Sequence, residues 1–141
     1  MIKLPFFMTN YAGLIIERED GKCLFQLRNK KDKDFPSKWG LFGGHSRKNE
    51  NPLTTIIREV KEEINYSLDK SRLRKVFSFC FPLVNITIYY TKISHNHKKM
   101  SLIDGEKMKY FYPSEMIFNK NSMFLLRILM AYFIFSSYSL E

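Results

Sequence analysis

Apolar runs and turn signals divide the chain into short strands around one strongly periodic helix. Tyr11 to Glu17 and Lys22 to Arg28 read as two strands, and Asp20-Gly21 between them is a hairpin turn signal. A polar, basic loop covers Asn29 to Lys38, and Trp39 to Phe42 reads as a short strand that ends at Gly43-Gly44. From Pro52 to Ile64 the period becomes helical. Leu53, Ile57, Val60 and Ile64 form one stripe, with Ile56 at its edge, which predicts a helix docked on a sheet. Asn51 can cap that helix, and Pro52 fits its first position. Leu73 to Phe81 and Asn85 to Ile93 are β-branched and aromatic, predicting two strands around Pro82. Lys107 to Tyr112 reads as a last strand, and Ser114 to Phe118 and Ser122 to Phe135 as helices. The expected architecture is α/β: a mixed sheet with helices packed on it.

The run from Met123 to Phe135 is apolar nearly all round and interrupted only by Arg127. It is shorter than the ~20 residues a membrane span needs, so it reads as a buried helix with no stable span. Phe124, Leu125, Ile128, Leu129 and Tyr132 share one side, and Leu126, Met130 and Phe133 another. Two apolar sides suggest a second partner, a homodimer contact, with membrane association as the alternative. At the ends, Met1 to Phe7 lacks the features of a signal peptide, and Leu140-Glu141 reads as a vector remnant.

Composition narrows the classes. A chain of 141 residues, 45% hydrophobic and 26% charged, reads as one globular domain spanning 1–141 and excludes disorder as the main state. Two cysteines, Cys23 and Cys80, cannot frame a disulfide scaffold. They read as small core residues, thiols in a reducing cytoplasm. The net charge of +9 fits an anionic partner, whether nucleotide, nucleic acid or acidic membrane, without choosing among them. The RNA option has no motif behind it.

The chemistry concentrates on the periodic helix. Glu59, Glu62 and Glu63 are neighbours at i, i+3 and i+4. Three carboxylates on one patch repel, and they lie toward the end where the helix dipole disfavours negative charge. A solvated acidic face is one reading. The other is a site for Mg²⁺ or Mn²⁺, which prefers hard carboxylate oxygens. No Ser-His-Asp order, Cys-His nucleophile or Gly-Lys-Ser phosphate loop stands out. His95 and His97 have no third zinc ligand at suitable spacing and read as loop residues.

Spacing adds context to these acids. Gly44, five residues, Glu50, seven residues, then Arg58-Glu59-Val60-Lys61-Glu62-Glu63-Ile64-Asn65-Tyr66 closely resembles the Nudix box, Gly-x5-Glu-x7-Arg-Glu-U-x-Glu-Glu-x-Gly-U, with U a bulky aliphatic residue. Every charged position matches, and Trp39 to Gly44 extends the likeness. Asn65 stands where the family has Gly, and Asn is the next best residue at positive φ. Tyr66 replaces an aliphatic residue, and Phe42 stands where a Pro is frequent.

The resemblance implies an α/β/α sandwich and a metal-dependent pyrophosphohydrolase. Such an enzyme cleaves a nucleoside diphosphate linked to another group, a nucleoside triphosphate (oxidised or not) or a nucleotide sugar, by water attack. It implies Glu59, Glu62 and Glu63 with the Gly43 carbonyl as the metal set, the cofactor being Mg²⁺ or Mn²⁺. The catalytic set becomes Glu59, Glu62, Arg58 and Asp104. In that set Arg58 orients the glutamates, and Asp104, in Leu102-Ile103-Asp104-Gly105-Glu106, is a candidate base. Substrate contacts fall to Arg28, Phe42, Gly44, Glu50 and Glu106. Glu50 also stands as a loop holder, and Trp39 and Tyr110 as further stacking candidates. Lys30, Lys31 and Lys33 are candidates for steering anions. The alternatives are a non-catalytic nucleotide-sensing domain of the same family and a role in RNA-end processing or RNA binding.

Overall fold

The computed structural model describes residues 9–81 and 83–138. Met1 to Phe7, Pro82 and Leu140-Glu141 therefore lie outside the described residues. Seven strands form one mixed sheet: β1 (Thr9–Arg18), β2 (Cys23–Leu27), β3 (Trp39–Gly40), β4 (Phe42–His45), β5 (Arg74–Phe81), β6 (Val84–Ile93) and β7 (Lys107–Phe111). Three α-helices, α1 (Pro52–Ile64), α2 (Pro113–Phe118) and α3 (Phe124–Tyr138), and a 3-10 turn at Lys70–Arg72 complete the elements among the described residues.

β1 is central. It pairs in parallel with β6 along its whole length, Thr9 with Val84 through Arg18 with Ile93. On its other edge it meets β2 at Glu17 and Cys23, and then β4, where Tyr11 to Leu14 face His45 to Phe42 antiparallel. β5 closes one side on β6, and β3 and β7 both pair with β2. Strand alternation then sorts the core into two layers. Ala12, Leu14, Ile16, Leu24 and Phe42 point toward α1 and meet Ile56, Val60 and Ile64. Ile15, Cys23, Phe25 and Ile88 point the other way and meet Met116, Leu126 and Met130 of α2 and α3. The result is an α/β/α sandwich.

α1 spans the expected residues. The Asn51 side chain accepts from the Thr54 N–H at 2.8 Å, and Asn65 ends the helix in the left-handed region at φ 51°. A cap of this kind contributes about 1 kcal/mol.

Three expectations need correcting. The strand expected at Trp39 to Phe42 is two strands broken at Leu41, and Gly43-Gly44 lies inside the second. The break lets β3 pair with β2 while β4 crosses to β1. The C-terminal helix is only half buried. Leu126 and Met130 enter the core, whereas Phe124, Leu125, Ile128 and Tyr132 stay exposed. Cys23 is buried as expected, but Cys80 is exposed, because it lies on edge strand β5. Among the described residues, no helix is long and apolar enough to cross a membrane.

Candidate active site

The site forms where β4 runs into the loop before α1. Gly43 and Gly44 lie opposite Gly13 and Ala12 of β1. At Gly43, φ is 149°, and a Cβ would fall on the Ala12 carbonyl oxygen and the Gly13 Cα. Backbone atoms cannot yield as a flexible side chain does. Gly43→Ala is therefore expected to cost about 3 kcal/mol or more of stability, read as a lowered denaturant midpoint. Gly44 serves a different end: a Cβ there would sit 2.5 Å from Oε1 of Glu59. Its bare backbone seats the Glu59 carboxylate against the strand.

The three glutamates do not share one environment. Glu63 is three residues beyond Val60 and beside Ile64, so it enters the buried face of α1 and is 7% exposed. Its Oε1 accepts the Gly43 N–H at 3.0 Å, and its Oε2 accepts Gln26 Nε2 at 2.7 Å. Burial pushes its carboxyl up to about 8, the two donors oppose that rise, and the charges of Glu59 and Asp104 add to it. Glu59 lies beside Gly44. Glu62 is half exposed and turned to Arg47 at 3.2 Å and Arg58 at 3.1 Å. This splits the single acidic patch expected from helical spacing.

Arg58 ties the set together. Its Nε and Nη2 donate to the two oxygens of Glu50 at 2.7 and 2.9 Å, and Nη1 donates to Glu59 at 2.9 Å and to Glu62 at 3.1 Å. Nη2 also donates to the His45 carbonyl at 3.2 Å. Bidentate, charge-assisted pairs of this sort fix geometry as well as add energy. Hydrogen bonding to Arg58 holds the Glu50 carboxyl down at about 2, and the same pairing raises Arg58. Glu50 also accepts the Arg47 N–H at 2.7 Å, so its carboxylate is engaged by the loop and by Arg58. That arrangement places it as a holder of the loop.

The loop before β7 adds further acids to this end of α1. N–H groups of Ser101, Ile103 and Asp104 donate to the last carbonyls of α1, at Ile64 and Glu63, which the helix cannot satisfy itself. This brings Asp104 to the same end of α1 as Glu63. The Asp104 carboxylate accepts Asn29 Nδ2 at 3.1 Å, and Glu106 accepts the Lys30 N–H at 3.2 Å. Arg28, at the end of β2, donates to the Asp34 carbonyl at 2.9 Å and pairs with Asp32 at 3.5 Å. It braces the basic loop that carries the exposed Lys30, Lys31 and Lys33.

Phe42, expected to contact substrate, presents no exposed surface. It is fully buried, because its register opposite Leu14 turns the ring into the α1-side core. Trp39 is likewise in the core, edge-on to Phe111 at 4.9 Å. Tyr110 lies under Arg18, 4.0 Å from the ring centre. Sequence reading missed two residues. Gln26 is a buried amide within the apolar strand Cys23–Leu27, and its polarity on the face shared with Leu24 was the available signal. Tyr11 has its hydroxyl pushed up to about 12, first by burial and then by Glu63 and Glu59, with Arg28 opposing. Nothing in its strand context marked it.

Among the described residues, no three acidic, imidazole or thiol groups converge as a ready ligand set. The chemistry of the donors nevertheless fits a hard divalent cation. They are carboxylate oxygens beside a strand of bare backbone, and the charges that bear on buried Glu63 are the acids Glu59 and Asp104.

Residues 9–127 match the family model of the NUDIX domain. An uncharacterised Nudix hydrolase of Listeria innocua is 37% identical over 67 residues, 47% of this chain and 40% of that protein's length. The match thus spans about two fifths of the curated relative. Among solved structures, DR0079 from Deinococcus radiodurans superposes with a TM-score of 0.76 at 15% identity, covering 93% of this chain and 88% of that one. A MutT protein from Methanosarcina mazei gives 0.73 at 15% identity, covering 97% and 99%. Likeness at such identity shows the fold, the α/β/α sandwich described above. The family match runs from β1 into α3, through the helix that bears the glutamates, and on that ground the chain belongs to the Nudix family.

Proposed function

We propose that this chain is a divalent-metal-dependent pyrophosphohydrolase. Its substrate is a nucleoside diphosphate linked to a further group, a nucleoside triphosphate (oxidised or not) or a nucleotide sugar, cleaved by water attack on phosphorus. The observation that carries this reading is the seating of Glu59 and Glu63 against Gly43-Gly44 while Arg58 binds Glu59, Glu62 and Glu50 together.

Glu59, Glu62, Glu63 and the Gly43 carbonyl would hold Mg²⁺ or Mn²⁺. When bound, the ion supplies charge neutralisation at the phosphates and a lower pKa for water. The protein's own residues divide the remaining work. Arg58 fixes the carboxylates in place, so little reorganisation is needed when substrate arrives. Gln26 and the Gly43 N–H hold Glu63 by both oxygens. Asp104, exposed at the C-terminal end of α1, is positioned to take a proton from water as a general base. Arg28 and the basic loop it braces lie beside Asp104 and favour an anionic substrate by charge. An exposed, unpaired Cys80 suits a reducing compartment, in keeping with work in the cytoplasm.

The test is product release from a nucleotide panel with Mg²⁺, with Mn²⁺, and with chelator. The panel holds normal and oxidised triphosphates, nucleotide sugars, dinucleoside polyphosphates and capped RNA. Turnover of one nucleotide class that stops with chelator is the expected result. Nucleotide binding without any turnover would overturn the enzyme reading in favour of a sensor domain. Cleavage confined to RNA ends would move the substrate to RNA.

A further inference from the structure

The outer face of α3 is the largest feature that the proposed chemistry leaves unused. Phe124 is 71% exposed, Leu125 44%, Ile128 52%, Tyr132 48% and Phe135 76%, and Phe118 at the end of neighbouring α2 is 83% exposed. Phe124, Ile128, Tyr132 and Phe135 recur at steps of three and four residues, with Leu125 and exposed Ala131 flanking them, so they form one stripe along the helix. The only charged residue of α3 is Arg127. Its Nε is tied to the Ile117 carbonyl at 2.7 Å. Taking roughly 200 Å² for a whole aromatic side chain, the patch exposes on the order of 700 Å². The largest contiguous apolar patch on a typical monomeric protein is about 300–600 Å². A standard protein interface takes about 800 Å² from each partner.

A receptor runs along the flank of this stripe and shares Tyr132 and Phe135 with it. A groove of about 490 Å³ lies between α3 and β5, lined by Ile15, Phe77, Leu129, Tyr132 and Phe133, with Arg74 and Lys75 also lining it. It lies toward the C-terminal half of α3, whereas the protruding Phe124 and Phe118 lie at the other end. From residue 124 to 136 the helix rises about 18 Å. Knobs at one end and a groove at the other are what a two-fold, self-complementary contact requires, since each copy then offers what the other receives.

We infer that a second copy of this chain covers the outer face of α3, the two helices lying antiparallel so that Phe124 of each enters the α3–β5 groove of the other. Ala131, small and near the middle of the stripe, lets the two backbones approach. The inference does not depend on the catalytic reading. Because each copy carries +9, long-range charge opposes the association while apolar burial drives it. Added salt should therefore tighten the dimer by screening, the reverse of what it does to binding at an anionic membrane.

The test is sedimentation equilibrium of the full chain at 50 mM and 300 mM salt, wild type beside Ile128→Asp and Phe124→Ser, with circular dichroism on each. A wild-type mass of twice 16.9 kDa is expected, with the dissociation constant falling as salt rises. Ile128→Asp places a charge in the apolar centre and should weaken association by about 100-fold. Phe124→Ser removes only a knob and tests the same contact if the first variant loses its circular dichroism signal. Three results would overturn the inference. One is a monomer at both salts. Another is a dimer indifferent to folded forms of both variants. The last is a monomer that binds vesicles of mixed zwitterionic and anionic phospholipid, with release by salt, which would give the face to a membrane instead.

Discussion

Glu59→Gln and Glu63→Gln are each expected to lower turnover by about 10³-fold or more while leaving the fold in place. Each substitution keeps the size of the side chain and removes its charge. The reasons differ between the two positions. Glu59 rests against Gly44 and receives one hydrogen bond from Arg58, so an amide still fills the seat but offers a hard cation much less. Glu63 is buried and held by two donors, Gln26 and the Gly43 N–H. An amide there keeps the shape and loses one accepting oxygen. Thermal unfolding measured beside turnover separates the effects. Loss of turnover with a preserved melting temperature is the expected pair, and retained turnover in either protein would remove that residue from the metal set.

Arg58→Lys is expected to lower kcat by roughly 10- to 100-fold with KM for the nucleotide little changed, and to raise the Mg²⁺ concentration needed for half-maximal rate. Lys carries the same charge as Arg but lacks the planar fork. It cannot donate at once to both oxygens of Glu50 and to Glu59 and Glu62, as Arg58 does. The Mg²⁺ dependence is the informative readout, because Arg58 acts through the carboxylates. A rise in KM with kcat and Mg²⁺ dependence unchanged would mean that Arg58 binds substrate directly.

Much of the site could be read before the fold was in view, for physical reasons that differ by residue. α1 was legible in full because its signals agree: Asn51 as cap, Pro52 at the first position, an apolar stripe and Asn65 in the left-handed region. Such agreement across levels marks a well-specified segment. The unequal environments of its glutamates were not legible. Helical spacing says that Glu59, Glu62 and Glu63 are neighbours, but which of them faces the sheet depends on how α1 rolls onto β1 and β4. The burial of Phe42 was not legible, because its proximity to the glycine pair says nothing about strand parity, which β4 sets only by pairing with β1. The split of the expected strand at Leu41 has the same origin. Gln26 and Tyr11 reach the site through long-range sheet pairing, so their neighbours in sequence give no hint of it. On α3, the two apolar sides were visible, but not which one the sheet would take. The sheet took the side of Leu126 and Met130 and left that of Phe124, Ile128 and Tyr132 exposed.

The most direct measurement is Mn²⁺ binding followed by the paramagnetic resonance of the free ion, in the wild type and in the Glu59→Gln and Glu63→Gln proteins. If these carboxylates build the metal site, the free-ion signal falls in proportion to wild-type protein and recovers with either variant. Equal depletion of the signal by all three proteins would contradict a metal site built on these carboxylates.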